Sequence, residues 1–231
     1  MTITIIQLRK IMSKITKAVL YFIIAVALLL ITLPISAKGS AKFGLTQINS
    51  DSTTLKASVD QSWEFDIVDL VTELDYVYKE QDDIVKMDKF STIGKVNKDL
   101  TEKYYTFGVL SYDSDQARAS GDRVVGGAGI GWKIFRNDNW KVSHESSIAY
   151  LTNDAVSEAI FRNSLWVFYK LGDNLNVTNK LLSETGTDNY LRNETGLNYN
   201  LTETVSIGFS NTYTEDPIDN NVLSVTIGVK W

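Results

Sequence analysis

The feature that most constrains this chain is a two-residue alternation of apolar and polar side chains that recurs from Lys38 to Trp231. A period of two is the pleat of a β-strand. Five stretches show it cleanly. Leu223, Val225, Ile227, Val229 and Trp231 share one face, while Ser224, Thr226, Gly228 and Lys230 share the other. Val205, Ile207, Phe209 and Tyr213 oppose Thr204, Ser206, Gly208, Ser210 and Thr212. Leu55, Ala57, Val59, Trp63 and Phe65 oppose Lys56, Ser58, Asp60, Ser62 and Glu64. Leu70, Thr72, Leu74, Tyr76 and Tyr78 oppose Glu73, Asp75 and Lys79, and Val124, Ala128, Ile130, Trp132 and Ile134 oppose Arg123, Gly127, Gly129, Gly131 and Lys133. In all five, every charge falls on the non-apolar face. A charge facing lipid costs roughly 2–4 kcal/mol at the bilayer midplane, so a membrane enforces such segregation strictly. Stretches near Phe90, Tyr105 and Leu165 alternate less cleanly, and their faces stay unassigned.

Runs between turn signals give about twelve strands, near 41–49, 53–64, 68–79, 86–97, 102–112, 122–135, 139–150, 157–170, 174–183, 190–200, 203–213 and 221–231. Most reach the roughly 9–11 residues that a tilted strand needs to cross a bilayer, where strands of soluble sandwiches average about 5–6. Short connections at Lys98-Asp99-Leu100, Arg136-Asn137-Asp138, Gly172-Asp173 and Leu201-Thr202 alternate with longer ones at 113–121, 151–156, 184–189 and 214–220. That is the expected parity of an outer-membrane barrel. Tyr76, Tyr78, Tyr150, Tyr199, Tyr213, Trp63, Trp140 and Trp231 fall near strand ends, as girdle residues do. The reading is all-β: a single transmembrane antiparallel barrel of about twelve strands. Its rival is a soluble periplasmic β-sandwich, whose apolar faces would meet each other.

The segment before Lys38 is different material. It has no acidic residue, and Arg9, Lys10, Lys14 and Lys17 precede an apolar stretch from Ala18 to Leu33, closed by Pro34-Ile35-Ser36-Ala37. A basic start, a short apolar run and a small final residue are the marks of a secretory signal peptide cleaved after Ala37. The division is therefore 1–37 signal peptide and 38–231 barrel, exported to the bacterial outer membrane. Without the four basic residues of the leader, 19 basic side chains face 28 acidic ones, a net charge of −9. Nucleic-acid binding needs a basic stripe, which is missing. There is no Cys and one His, which removes disulfides, thiolate sites and His-cluster metal sites.

The terminal strand, with Leu223, Val225, Ile227, Val229 and Trp231, resembles the targeting strand read by the barrel-assembly machinery, with Trp where Phe is commoner. The chain from Gly39 to Trp231 also resembles the DUF481 family, described as salt-induced outer-membrane proteins. The resemblance lies in Gly126-Gly127-Ala128-Gly129-Ile130-Gly131-Trp132, similar to that family's glycine-rich strand. It continues from Arg192 through Leu197, Tyr199, Leu201 and Thr202 to Pro217 and the terminal strand. Asn49-Ser50 matches that family's Gly-Asn turn only loosely. The resemblance implies a porin-like envelope barrel linked to salt or osmotic conditions and carries over no catalytic residue.

Four features could carry function. The glycine run is no phosphate cradle, because Trp132-Lys133-Ile134-Phe135 continues the strand where a helix would have to begin; alternate glycines make room for bulky neighbours. His144, with Ser143 and Ser146 nearby, suggests an outer-membrane phospholipase-like triad, but no third group is placed by sequence. Asp82-Asp83, Asp113, Asp115, Glu215, Asp216 and Asp219 fall in the expected outer loops and offer weak divalent-cation ligands, bridging to lipopolysaccharide. Finally, Lys56, Asp60, Glu64, Glu73 and Arg123 take the lumen face, as do Lys133, Lys141, Glu145, Arg192, Glu194 and Lys230. These line a narrow aqueous path of weak ion selectivity or pair across it and close it. The expected function is non-enzymatic, a small passive pore or a structural barrel. No cofactor is expected, and lipid, lipopolysaccharide and the assembly machinery are the expected partners.

Overall fold

A computed structural model describes residues 38–47, 52–81, 84–115, 122–187, 189–215 and 220–231. The leader, 1–37, lies outside the described residues. Twelve strands run β1 (Lys38–Gln47), β2 (Ser52–Glu64), β3 (Asp69–Gln81), β4 (Ile84–Asp99), β5 (Tyr104–Asp115), β6 (Arg123–Arg136), β7 (Trp140–Thr152), β8 (Ser157–Lys170), β9 (Leu175–Thr185), β10 (Tyr190–Asn200), β11 (Val205–Glu215) and β12 (Asn220–Lys230). Each pairs antiparallel with its sequence neighbours, and β12 returns to β1 to close the barrel. Closure leaves no open edge, and the sandwich reading fails because one continuous sheet wraps on itself.

The seam pairs Phe43 with Ile227 and Ala41 with Val229. It ends where Gly39 and Trp231 exchange two backbone hydrogen bonds of 3.1 Å each. A Cβ on Gly39 would lie 2.7 Å from the Trp231 indole, so the ring needs glycine there.

On the C-terminal strand the two faces divide as alternation requires, whereas on β2 residues 54–59 are buried on both faces. On β12, Val222, Ser224, Thr226 and Gly228 are buried while Leu223, Val225, Ile227 and Val229 are exposed. In a soluble protein an Ile148 that is 72% exposed would be out of place; on a barrel it faces lipid. Aromatic pairs mark the end of the barrel that holds Lys38 and Trp231: Tyr104 stacks on Trp132 and Trp140 on Tyr169, at 6.2 and 4.1 Å between ring centroids.

At this turn end, one side chain organises each of several hairpins by accepting backbone N–H groups. Asn137 Oδ1 takes the N–H of Asn139 and of Trp140. Thr101 Oγ1 takes those of Lys103 and Tyr104, and Thr202 Oγ1 those of Thr204 and Val205.

The expected contrast between short and long connections does not survive. Strands run further into the loop end than alternation alone suggests, so 153–156 and 216–219 are as short as 65–68 and 201–204; only 116–122 is long. The physical reason is that β-pairing continues past the apolar belt, where most added residues, such as Asp113, Ser114, Thr185, Thr214 and Glu215, are polar and the period fades from the sequence.

Candidate functional site

The site is the lumen. On the long sequence scale its charged residues come from every part of the chain; the barrel brings them together in tiers.

Near the turn end, Lys38 pairs with Glu64 at 2.8 Å and Lys133 with Asp99 at 2.7 Å. Lys230 donates to Asn200 Oδ1 at 2.8 Å. Lys141 lies 5.4 Å from the Phe168 ring centre, a cation–π contact.

Above this rim the glycine strand does its work. A Cβ on Gly131 would come within 2.1 Å of the Tyr105 ring. Glycine there lets the ring lie against the wall and its hydroxyl donate to Glu145 Oε1 at 2.5 Å. The same carboxylate accepts from Lys95 and, at 3.2 Å, from Ser164. Lys95 also lies 4.7 Å from the Phe107 ring centre.

At mid-height the ion pairs cross the lumen. Lys56 of β2 donates to Glu194 of β10 at 3.2 Å, and Arg192 donates to the other Glu194 oxygen at 3.1 Å. Arg192 is 3.9 Å from Asp75 on β3, and Lys180 of β9 is 3.2 Å from Glu73 on β3. Asp60 accepts from Ser40 at 2.6 Å.

Near the loop end lies a drier cluster. Arg123 donates to Glu184 and lies 3.7 Å from Asp113. Arg162 is 3.4 Å from Glu184, Lys89 is 3.2 Å from Asp113, and the Tyr190 ring centre is 5.0 Å from the Arg123 guanidinium. Val125, Ala149 and Ile160 are buried beside it.

A cavity of about 830 Å³ runs from the Lys38–Lys230 rim to the level of Arg162 and Arg192. Arg123, Glu184 and Val125 do not line it. Of the inward residues expected from sequence, Lys56, Asp60, Glu73, Glu145, Arg192, Glu194 and Lys230 border it; Glu64, Arg123, Lys133 and Lys141 do not. Among the lumen charges that sequence reasoning left out are Asp75, Lys95, Arg162, Lys180 and Glu184. Asp75 carried a signal, being in phase with Glu73. Lys95, Arg162, Lys180 and Glu184 lie on β4, β8 and β9, whose lumen faces also hold Trp166 and Phe168 or the aliphatic Ile93, Ile160 and Leu182, and apolar groups on both faces blur the period.

Two candidate chemistries are not assembled. His144 is on the outward face of β7, whereas Ser143 borders the cavity on the other side of the sheet. Ser146 shares the His144 face, but its single hydroxyl proton goes to Asn163 Oδ1 at 2.8 Å, not to the imidazole. Asp113 and Asp115 belong to β5, not to a loop, and Asp113 is ion-paired inside the barrel. Glu215 ends β11, and Asp82, Asp83, Asp216 and Asp219 lie outside the described residues. No group of three or more His, Asp or Glu suited to a metal ion occurs among the described residues.

A closed twelve-stranded antiparallel barrel, apolar outside and charged within, has the architecture of an outer-membrane β-barrel. Solved structures share it. A NanC porin matches with a TM-score of 0.56 at 10% identity, covering 84% of this chain and 98% of that one. The COG4313 outer membrane channel from Pseudomonas putida F1 matches at 0.53 and 11% identity, over 87% and 97%. A KdgM porin in complex with disordered oligogalacturonate matches at 0.51 and 10% identity, over 83% and 98%. No curated protein matches the sequence. The profile described as "Protein of unknown function, DUF481" matches residues 41–231, and the chain belongs to that family.

Proposed function

We propose that this protein is a non-enzymatic barrel of the bacterial outer membrane whose lumen passes small polar solutes passively. The observation that carries the reading is the cavity of about 830 Å³. A barrel with a purely structural role needs no such space. Eight basic side chains line it (Lys38, Lys42, Lys56, Lys95, Arg162, Lys180, Arg192, Lys230) against five acidic ones (Asp60, Glu73, Asp75, Glu145, Glu194). The charge balance of residues 38–231, 19 basic to 28 acidic, is thus reversed inside. A lumen with a basic excess focuses a positive potential and favours anions weakly. The KdgM porin was solved in complex with an oligogalacturonate, an acidic sugar polymer, and a solute of that charge suits this lining.

Export by a leader cleaved after Ala37, and recognition of Leu223 to Trp231 by the assembly machinery, complete the reading. Conductance in planar bilayers tests it, on protein purified in detergent and shown to change gel mobility on heating. Small stable steps, with a reversal potential on the anion side in a salt gradient, are expected. A heat-modifiable protein that inserts and carries no current would instead make the barrel structural, the role tied to salt conditions. A protein whose mobility does not change on heating would not be a membrane barrel.

A further inference from the structure

The lipid-facing surface is not uniform. Four adjacent strands, β8 to β11, each carry an asparagine at a mid-strand outward position: Asn163, Asn179, Asn193 and Asn211. Mid-strand outward positions elsewhere hold residues such as Ile130, Leu110, Leu74 and Val225, with threonines but no asparagine opposite Ile130 and Leu74.

The asparagines and their hydroxyl neighbours run across these strands as a polar stripe, interrupted on β9 by Leu181, which stands opposite Asn193. Asn163 stands opposite Ser146 on β7 and Ser183 on β9, and Thr195 stands opposite both Asn179 and Asn211. Asn179 Nδ2 donates to Asn193 Oδ1 at 2.7 Å and to Thr195 Oγ1 at 2.9 Å, and Ser146 donates to Asn163 Oδ1 at 2.8 Å. Those bonds leave capacity over. Each amide offers two donor hydrogens, and those of Asn163, Asn193 and Asn211 meet no acceptor among the described residues. In hydrocarbon neither lipid tails nor water supplies one.

We infer that the β7–β11 face is where a second copy of this chain docks, stripe against stripe, to form a two-fold dimer in the membrane. Rotation about the membrane normal keeps every residue at its depth, so a band confined to mid-depth meets itself. An isologous contact needs a self-complementary patch. Amides and hydroxyls both donate and accept, and the stripe carries no acidic or basic residue to repel its copy. The exposed Phe161 and Phe209 lie just off the stripe and extend the contact with apolar area. The inference needs the barrel to span a membrane and does not depend on its conducting.

The chain has no cysteine, so one introduced cysteine reports one position. Thr195→Cys lies at the stripe and Ile227→Cys on the exposed outward face of β12. Both proteins, in native membranes, are treated with a short bismaleimide, and their heat-modifiable migration is checked. A cross-linked dimer from Thr195→Cys, with only monomer from Ile227→Cys, is expected. Adding Asn163→Leu, Asn179→Leu and Asn193→Leu should abolish the dimer while the barrel still migrates as folded. Equal cross-linking at both sites, monomer from both, or a product joining Thr195→Cys to a different protein overturns the inference. So does a dimer that persists in the leucine variant. Should the leucine variant fail to fold, the comparison of the two cysteines still decides. Loss of heat-modifiability in the single-cysteine proteins would instead count against the membrane barrel itself, and with it the docking.

Discussion

Lys180 on β9 meets Glu73 on β3 across the lumen, Nζ to Oε1 at 3.2 Å, although five strands lie between them whichever way round the barrel is followed. Two side chains that touch from opposite walls block the line between them. Arg192–Asp75 and Lys56–Glu194, with four and three strands between them by the shorter way, lie at a similar height, so the mid-lumen is bridged, not merely lined. Such a bridge gives the proposed passage of solutes its most direct test. Glu73→Gln frees a cation and should raise conductance while moving the reversal potential toward anions. Lys180→Gln frees a carboxylate and should move it toward cations. Shifts in the same direction from both would show that this pair is not in the conducting path.

Ionic strength should act on the same bridge. The Debye length falls from about 10 Å at 0.1 M to about 3 Å at 1 M salt, which weakens exposed pairs most. Half of the Lys180 side chain is exposed, so its pair is open to screening. Conductance should therefore rise more steeply than bulk conductivity between those concentrations, and in proportion to it in the Glu73→Gln, Lys180→Gln double variant. Proportional behaviour in the unaltered protein would mean that the bridge does not gate.

Gly131→Ala should destabilise the barrel. Its new Cβ would meet the Tyr105 ring at 2.1 Å. The ring is held by its bond to Glu145, so it cannot swing aside without breaking that contact. Overpacking of this kind costs about 1–3 kcal/mol. A lower midpoint in heat-modifiability gels is the readout, and Tyr105→Ala in the same chain should recover part of the loss.

Much of this architecture was legible because lipid is a strict judge of one face. On β12 and β6, apolar residues at every second position located the strand, its outward face and its inward charges. All twelve strands fell within a few residues of their places, the less cleanly alternating ones because turn signals bound them. The lumen is a laxer judge. It accepts Ile93, Trp166 and Phe168 as readily as Lys95 or Arg162, so β4 and β8 lost their period and their charges went unread. Nor does alternation say which inward charges meet. Lys180 and Glu73 are 107 residues apart, and only closure of the sheet puts them together. Asp113 was misplaced because a run of Asp and Ser residues looks like a loop, while the strand carries it inward to Lys89 and Arg123.

Outside the spanning strands, Asp122 reports on the β5–β6 connection. Hydrogen bonds from Tyr112 at 2.6 Å and Ser114 at 2.7 Å hold its carboxyl below the ordinary aspartate range. Both bonds favour the ionised form. Their contribution is thus fully present above the unfolded-state value and disappears as pH falls through the lower folded one. Carboxyl-carbon titration by NMR should place the midpoint below that of an ordinary aspartate, and Tyr112→Phe should move it back up. An unchanged midpoint in Tyr112→Phe would exclude the tyrosine as the cause.

The loop-end cluster should dominate stability. The Glu184 side chain is only 2% exposed and that of Arg123 9%, so neither charge is hydrated well enough to stand alone. Breaking such a pair by removing one partner costs about 3–5 kcal/mol, because a buried charge is left without its counter-charge. Arg123→Met leaves Glu184 with Arg162 alone and Asp113 with Lys89 alone. Glu184→Met leaves two arginines close together with one carboxylate fewer. Each single variant should lower the urea midpoint of the folded barrel sharply. The double variant replaces the pair by apolar groups beside Val125, Ala149 and Ile160, and should fall by clearly less than the two single losses combined. Additive losses would mean that Arg123 and Glu184 act through separate partners, with Asp113 and Arg162 as the contacts that matter.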